Sequence, residues 1–301
     1  MCHRKQIINK NFKDMILVTG GTGQLGGLVV ENLLKKMPAS ELAVLVRDAS
    51  KATDLKVKGV DVRVGTYFDK ESLTKAFEGV EKVLLVSSND FNERLGQHKN
   101  VVDAAKAAGV QHIFYTGVTL KNIETSPLKP LLGDHYQTED YIKVSGLTYT
   151  FLQNSLYQEV IPMFAGPTAL ETGIFFAGGE GKVAFASRID LAEATANILA
   201  STGHENKTYN LTGAEAHSFA DIAAELSNLS GKTVGYVSPE SEAFEASLKQ
   251  FGLPEGIVIM SVLFAAGIKN GDFDVTYSAL EEFLGRKPTD LKTFLKVAYG
   301  V

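Results

Sequence analysis

Apolar and polar positions alternate along the chain in blocks. Short apolar runs stand at Ile16–Thr19, Leu42–Val46, Val60–Val64, Lys82–Val86, His112–Thr116 and Thr148–Gln153. Between them lie stretches with helical spacing, near Gly23–Lys36, Lys51–Lys56, Lys70–Phe77, Glu93–Ala108 and Asp134–Ser145. Pro38 follows the first of these, and Gly109 follows the fourth as a left-handed C-terminal cap. Runs that are apolar on both faces suit a parallel sheet covered by helices. Strict strand–helix alternation predicts an open, doubly wound α/β sheet of the Rossmann type with right-handed crossovers.

After about Ser155 the alternation loosens. Gly173, Gly178, Gly179 and Gly181 interrupt a loop-rich stretch. Helices are expected at Asp190–Leu199, Phe219–Leu229, Ser241–Phe251, Ile257–Ala266, Ser278–Leu284 and Asp290–Val297, and strands at Lys207–Leu211 and Thr233–Val237. The expected organisation is a nucleotide-binding domain over 15–155 and a smaller substrate lobe over 156–301. Elements around 182–212 are expected to return to the main sheet. Residues 1–14 carry Arg4, Lys5, Lys10 and Lys13 without the apolar core of a signal peptide, and read as a flexible basic extension.

Composition narrows the classes. The 301 residues are 45% hydrophobic and 22% charged, which excludes disorder as the main state. The formal net charge of −5 argues against a nucleic-acid partner. The most apolar stretch, Ile257 to Ile268, holds Ser261 and Gly267 and is too short to span a membrane. One cysteine, Cys2, allows no intrachain disulfide and points to a reducing, cytoplasmic compartment.

The strongest motif is Ile16-Leu17-Val18-Thr19-Gly20-Gly21-Thr22-Gly23-Gln24-Leu25-Gly26. It follows the first strand and opens the first helix, the context a dinucleotide fingerprint requires. Glycines there let a pyrophosphate approach the backbone, and the helix N-terminus offers free N–H groups. About twenty residues on, Val46-Arg47-Asp48 ends the second strand, where the adenosine ribose is read. A cation there suits the 2′-phosphate of NADP(H), with Lys51 a second candidate. Asp48 is assigned to capping the helix that starts near Ala49. Ligands of such sheets sit at the C-terminal strand ends. That position selects Ser87, Ser88 and Asn89 after strand four, Thr116 and Gly117 after strand five, and Gln153, Asn154 and Tyr157 after strand six. Tyr115 either faces the nicotinamide or is buried.

These residues resemble the NmrA-like family, an atypical branch of the short-chain dehydrogenase/reductase group, over nearly the whole chain from Met15. The likeness rests on Val18–Gly26, on Val46-Arg47, on Asn100–Val110 and on Gly203–Leu211, with Leu284-Gly285-Arg286-Lys287-Pro288 as the C-terminal motif. It runs to members that reduce quinones and triphenylmethane dyes. The resemblance implies NADP(H) as cofactor, hydride transfer to a quinone or dye-like small molecule, and no flavin. It leaves a homodimer open. The classical Tyr-x-x-x-Lys pair is missing: Tyr136 leads to Asp140, and Tyr141 to Ser145. A quinone asks less of the protein, because positioning two rings supplies much of the rate. Relatives carry Leu-Arg-Asn after strand six where this chain has Leu152-Gln153-Asn154. His135 falls where isoflavone-reductase-like cousins place a functional lysine, which makes it the candidate proton donor. The competing view is a surface helix histidine beside Asp134 and Glu139.

Other chemistries find no support. No histidine pair has H-x-x-x-H or H-E-x-x-H spacing, so no metal is expected. Ser87-Ser88 lacks the Gly-x-Ser-x-Gly elbow of hydrolases. With no tyrosine–lysine pair, a nucleotide-sugar epimerase is disfavoured. The rival to a reductase is a non-enzymatic NADP(H)-binding redox sensor of the NmrA type, which would bind the cofactor without turnover. In the reductase, Gly20, Gly21, Thr22, Gly23, Gln24, Leu25 and Gly26 hold the pyrophosphate and Arg47 the 2′-phosphate. Ser87, Ser88, Thr116, Gln153 and Asn154 border the nicotinamide half, and Asn89 and Tyr157 meet the acceptor.

Overall fold

A computed structural model describes residues 15–277 and 279–301. The basic stretch 1–14 lies outside the described residues. Seven parallel strands form the main sheet: β1 (Ile16–Thr19), β2 (Leu42–Val46), β3 (Asp61–Val64), β4 (Lys82–Leu85), β5 (His112–Val118), β6 (Thr148–Asn154) and, later in the chain, β9 (Lys207–Leu211). Their order is β3-β2-β1-β4-β5-β6-β9. The direction of winding reverses between β1 and β4, so a crevice opens there at the C-terminal strand ends. Leu17, Val18 and Leu84 are fully buried, as a sheet covered on both faces requires.

One face is covered by α1 (Gln24–Leu33), α8 (Arg188–Leu199) and α12 (Ala279–Leu284), the other by α3 (Lys70–Ala76), α4 (Arg94–Ala107) and α5 (Lys129–Ser145). A short α2 (Thr53–Val57) precedes β3. Alternation along each strand splits the side chains between these faces. Val18, Phe114 and Leu152 pack on the α1 side, and Leu17, Tyr115 and Phe151 on the α4–α5 side.

A third apolar cluster gathers the start of α5 with α6 (Ile161–Ala165), α7 (Ala169–Thr172), α9 (Phe219–Ser230), α10 (Ser241–Gln250), α11 (Glu255–Lys269) and α13 (Leu291–Tyr299). Phe176 packs at its centre, its ring tilted against Phe219 at 4.3 Å and Phe164 at 5.2 Å between centroids. Two small ladders border it, β7 (Ile174–Phe175) with β11 (Tyr236–Val237), and β8 (Lys182–Val183) with β10 (His217–Ser218). Arg286, in the C-terminal motif, pairs with Asp190 at 2.8 Å and Glu193 at 2.6 Å, tying the end of α12 to α8.

Several boundaries shift by a residue or two, and three differ for a clear reason. Helix α5 starts at Lys129 rather than Asp134, because Pro130 fits a first helical turn, where its missing N–H is not needed. Helix α11 is longer at both ends than the apolar run, with Val258, Phe264 and Ile268 buried. Of the strand expected over Thr233–Val237, only Tyr236 and Val237 find a partner. No helix among the described residues is long and apolar enough to cross a membrane.

Candidate active site at the switch point

The glycine segment forms a backbone cradle with no room for a side chain at Gly21 or Gly26. Gly20 has φ +61°, a left-handed conformation that favours glycine. A Cβ on Gly21 would stand 2.8 Å from Val44, and one on Gly26 only 2.3 Å from the Gly20 carbonyl oxygen. The loop is therefore pressed against β2 and α1 against the loop. Gly23 donates its N–H to the Gly20 oxygen at 2.8 Å and begins α1. No side chain caps α1, and its first turn has no acid. Asp69, Ser187, Ser218 and Asp290 cap the helices that follow them. The uncapped donors and the positive dipole end of α1 suit an anionic group. Thr22, Gly23 and Gln24 are exposed there, whereas Leu25 and Gly26 are buried. Leu25 packs its side chain in the core, so only its backbone can serve a ligand.

Arg47 stands exposed at the end of β2 and makes no ion pair among the described residues. Asp48 does cap the next turn: its carboxylate accepts from the Ser50 N–H at 2.9 Å and the Ser50 hydroxyl at 2.7 Å. Those bonds hold its pKa below the ordinary value. The neighbouring acid is thus already engaged locally and leaves Arg47 free for a ligand. The cradle, the uncapped helix and the free arginine fit a phosphorylated dinucleotide.

Between β1 and β4 the crevice floor is tied together by Thr19 and Tyr67. The Thr19 hydroxyl donates to the Leu84 carbonyl at 3.0 Å and accepts from the Val86 N–H at 2.9 Å. The Tyr67 hydroxyl meets Thr19 and lies 2.8 Å from the Val86 carbonyl. Burial raises the Tyr67 pKa far above the ordinary range, so it stays a neutral donor.

The residues selected after strands four to six do gather at this end of the sheet, but on two sides. Thr116, buried, accepts from the Ser87 N–H at 2.9 Å. By alternation it shares the α1 side with Asn154. Asn154 is 2% exposed, and among the described residues its amide nitrogen and oxygen make no hydrogen bond of standard geometry, with only a looser interaction to the Tyr157 hydroxyl, which is costly unless a ligand completes it. Tyr157 is half-buried against the α1–α8 core, its ring 4.3 Å from the Arg188 guanidinium. Asn89 is exposed in the loop after β4.

Gln153 faces the α5 side, where it donates to both Glu139 oxygens at 2.8 and 3.0 Å. Gly117 makes room for that carboxylate, since a Cβ would stand 2.9 Å from it. Burial, opposed by the Gln153 bonds and by Lys143, pushes the Glu139 pKa up to about 7.

His135 is not a surface histidine. It is 8% exposed, and its Nδ1 lies 2.7 Å from the Tyr115 hydroxyl. Burial, helped by nearby Arg94 and His98, drives its pKa well below the ordinary value. Tyr115 is buried, on the same side. His98 completes the group. Its Nε2 accepts from the Ser88 N–H at 3.0 Å, and its Nδ1 sits 3.0 Å from Thr138. Arg94, 3% exposed, donates to the Ser88 carbonyl at 2.9 Å and pairs with Asp134 at 2.7 Å.

Sequence reasoning passed over Tyr67, Arg94, His98 and Glu139 in their roles. Arg94 and His98 share one face of α4 at i, i+4, but Tyr67 and Glu139 come from the loop after β3 and from α5, and no spacing links the three elements. The one available signal was Tyr67, which follows a strand end just as the chosen residues do.

The family model of the NmrA-like family matches residues 12–295. The chain belongs to the NmrA-like family. It is 42% identical over 288 residues to quinone oxidoreductase 2 of Escherichia coli, covering 95% of this chain and 99% of that protein. Its fold matches the NADPH-dependent quinone oxidoreductase of Escherichia coli complexed with NADPH, with a TM-score of 0.90 and 40% identity over 95% of this chain and 100% of that one. It also matches the triphenylmethane reductase of a Citrobacter species complexed with NADP(H), with a TM-score of 0.87 and 40% identity over 94% and 99% of the two chains. The Rossmann-type expectation and the family resemblance are both borne out.

Proposed function

We propose that this NmrA-like protein is an NADPH-dependent reductase that passes hydride to a quinone or a similar planar, electron-poor acceptor. One observation carries the reading: a tight glycine cradle at the switch point leads into a helix without a side-chain cap, with an arginine at the next strand end that makes no ion pair among the described residues. Its relatives are NADPH-dependent reductases of quinones and dyes.

In this reading NADPH supplies the hydride. Gly20, Gly21, Thr22, Gly23, Gln24, Leu25 and Gly26 hold the pyrophosphate through backbone donors. Arg47 holds the 2′-phosphate, with Lys51 behind it. Ser87, Ser88, Thr116, Gln153 and Asn154 border the nicotinamide half, and the under-bonded Asn154 amide is the strongest candidate to engage its carboxamide. Asn89 and Tyr157 meet the acceptor, and the smaller lobe over 156–301 covers it. His135 is the candidate proton donor; it is buried and neutral with Nδ1 bonded to the Tyr115 hydroxyl, so in this role it would pass a proton from Tyr115 or act as a hydrogen-bond donor rather than as an imidazolium acid. The acid–base demand is small, because a reduced quinone oxyanion is comparatively stable. The single Cys2 supports a cytoplasmic enzyme, and the net charge of −5 disfavours a nucleic-acid partner.

The test is NADPH oxidation by purified protein with a set of quinones and dyes, NADH run in parallel. Acceptor-dependent turnover with NADPH above NADH supports the reductase. Burial of His135, which removes a solvent-facing acid, favours a second reading: a redox sensor that binds NADPH tightly and turns over no acceptor. Gel filtration with and without NADPH tests the homodimer.

A further inference from the structure

The segment after β4 leaves the C-terminal end of the sheet at Ser87, and its next residue, Ser88, is gripped at every polar group. Arg94, Gln97 and His98 stand at i, i+3 and i+4 on one face of α4, and all three are buried. His98 Nε2 accepts from the Ser88 N–H at 3.0 Å, Arg94 Nε donates to the Ser88 carbonyl at 2.9 Å, and Gln97 Oε1 accepts from the Ser88 hydroxyl at 2.9 Å. Gln97 Nε2 then donates to Asp90 at 2.9 Å, and the Asp90 N–H donates to the Ser88 hydroxyl at 3.2 Å. Helix α5 backs this grip. Arg94 donates to the Leu131 carbonyl at 3.1 Å and to Asp134 at 2.7 Å. The Thr138 hydroxyl gives its proton to the Asp134 carbonyl at 2.7 Å, so toward His98 Nδ1, 3.0 Å away, it acts as acceptor. His98 therefore carries its proton on Nδ1 and keeps the Nε2 lone pair for Ser88. Burial and nearby Arg94 hold its pKa down to about 3, so near neutrality the ring does not gain the second proton that would break this bond.

Ser88 thus spends its N–H and its O–H on the protein and has no donor left for a ligand. Ser87 is tied to Thr116 through its N–H at 2.9 Å, while its hydroxyl has only a 3.4 Å contact with the Ser88 carbonyl and a looser one with Tyr115. We propose that Arg94, Gln97 and His98 are positioning residues for hydride transfer: acting through Ser88, they set the backbone at 87–89 against which the nicotinamide ring lies. The inference rests on the reductase reading and gives α4 a part in its chemical step. The effect is geometric. Hydride passes only over a short, aligned approach, and a displacement of about 1 Å costs about a hundredfold in rate. The adenylate half of the cofactor is held elsewhere, by the cradle and Arg47, and is indifferent to this grip.

His98→Leu keeps much of the volume and removes both hydrogen bonds. His98→Gln returns an acceptor toward Ser88 and a donor toward Thr138. Gln97→Met cuts the third contact by a milder change and carries the test should His98→Leu not fold. Each variant is assayed with NADPH and a saturating quinone, with NADPH deuterated at both C4 positions, and for affinity toward 2′-phospho-AMP, which has no nicotinamide. In His98→Leu, kcat should fall about tenfold to a hundredfold, and the deuterium isotope effect on kcat should reach that of a rate-limiting hydride step. The Kd for 2′-phospho-AMP should stay unchanged. Gln97→Met should move in the same direction, and His98→Gln should recover most of kcat. An unchanged kcat in the folded variants, a loss without an expressed isotope effect, or an equal loss of 2′-phospho-AMP affinity overturns the proposal while leaving the reductase reading intact. If the natural protein turns over no acceptor, the reductase reading itself fails, and the positioning role with it.

Discussion

Glu139→Gln should stabilise the protein in mild alkali and do little in mild acid. The carboxyl is 5% exposed, and its pKa is raised from 4.5 to about 7 by burial, against the pull of Gln153 and Lys143. An acid whose pKa is higher folded than unfolded binds protons more readily in the native state. Its contribution is most favourable below the unfolded pKa and is lost as pH rises through the folded one. The window therefore runs from about pH 4.5 to about pH 7, and the full penalty of the ionised group is about 3 kcal/mol. Glutamine keeps the shape beside Gly117, and Gln153 can turn its amide to present the oxygen. Between about pH 5 and about pH 8, the stability difference between variant and natural protein should widen by about 2.5 kcal/mol. With the unfolding entropy of a 301-residue chain, that is about 4 °C in melting temperature. The buried histidines titrate with the opposite sense: His98 is driven down to about 3 and His112 to about 4, chiefly by burial. They weaken the fold as pH falls below the unfolded value, equally in both proteins, so they cancel in the difference. The assay is paired thermal melts across that range. A melting-temperature difference that stays constant across it refutes the argument that Glu139 titrates near neutrality.

Arg47→Gln should raise the Kd for NADPH by about ten- to a hundredfold, the loss of one charge-assisted contact, and leave NADH nearly unchanged. Equal effects on both cofactors remove Arg47 from the phosphate subsite. Gly26→Ala should cost about 1–3 kcal/mol in the ligand-free protein, because its Cβ would stand 2.3 Å from the Gly20 oxygen. Gly27→Ala, one residue on, meets only an ordinary contact at 3.5 Å and should stabilise α1 by about 0.5–1 kcal/mol. Urea melts that rank the two alanines in the reverse order contradict the packing argument. Arg94→Met leaves Asp134 without its cation and Ser88 without a donor to its carbonyl, at a cost of about 3–5 kcal/mol in chemical denaturation. A loss under about 1 kcal/mol would show that water replaces the guanidinium.

Local chemistry along the chain was enough to determine the strand–helix alternation, the glycine turn and the arginine after β2. Each is a short-range requirement: a period of apolar residues, a φ only glycine favours, a cation a set distance past the turn. The role of Asp48 as a cap was legible for the same reason, since donor and acceptor are two residues apart. What the tertiary structure alone decided is which side of the sheet each strand-end residue serves. Strand alternation places Gln153 with Glu139 and Asn154 with Thr116, and that assignment depends on which helices pack on each face. His135 shows this most clearly. Helical spacing beside Asp134 and Glu139 suggested a solvated histidine, yet Tyr115 from β5 and His98 from α4 close over the same point. Burial is a property of what surrounds a side chain in space, and the protonation states of His135 and Glu139 follow from that burial.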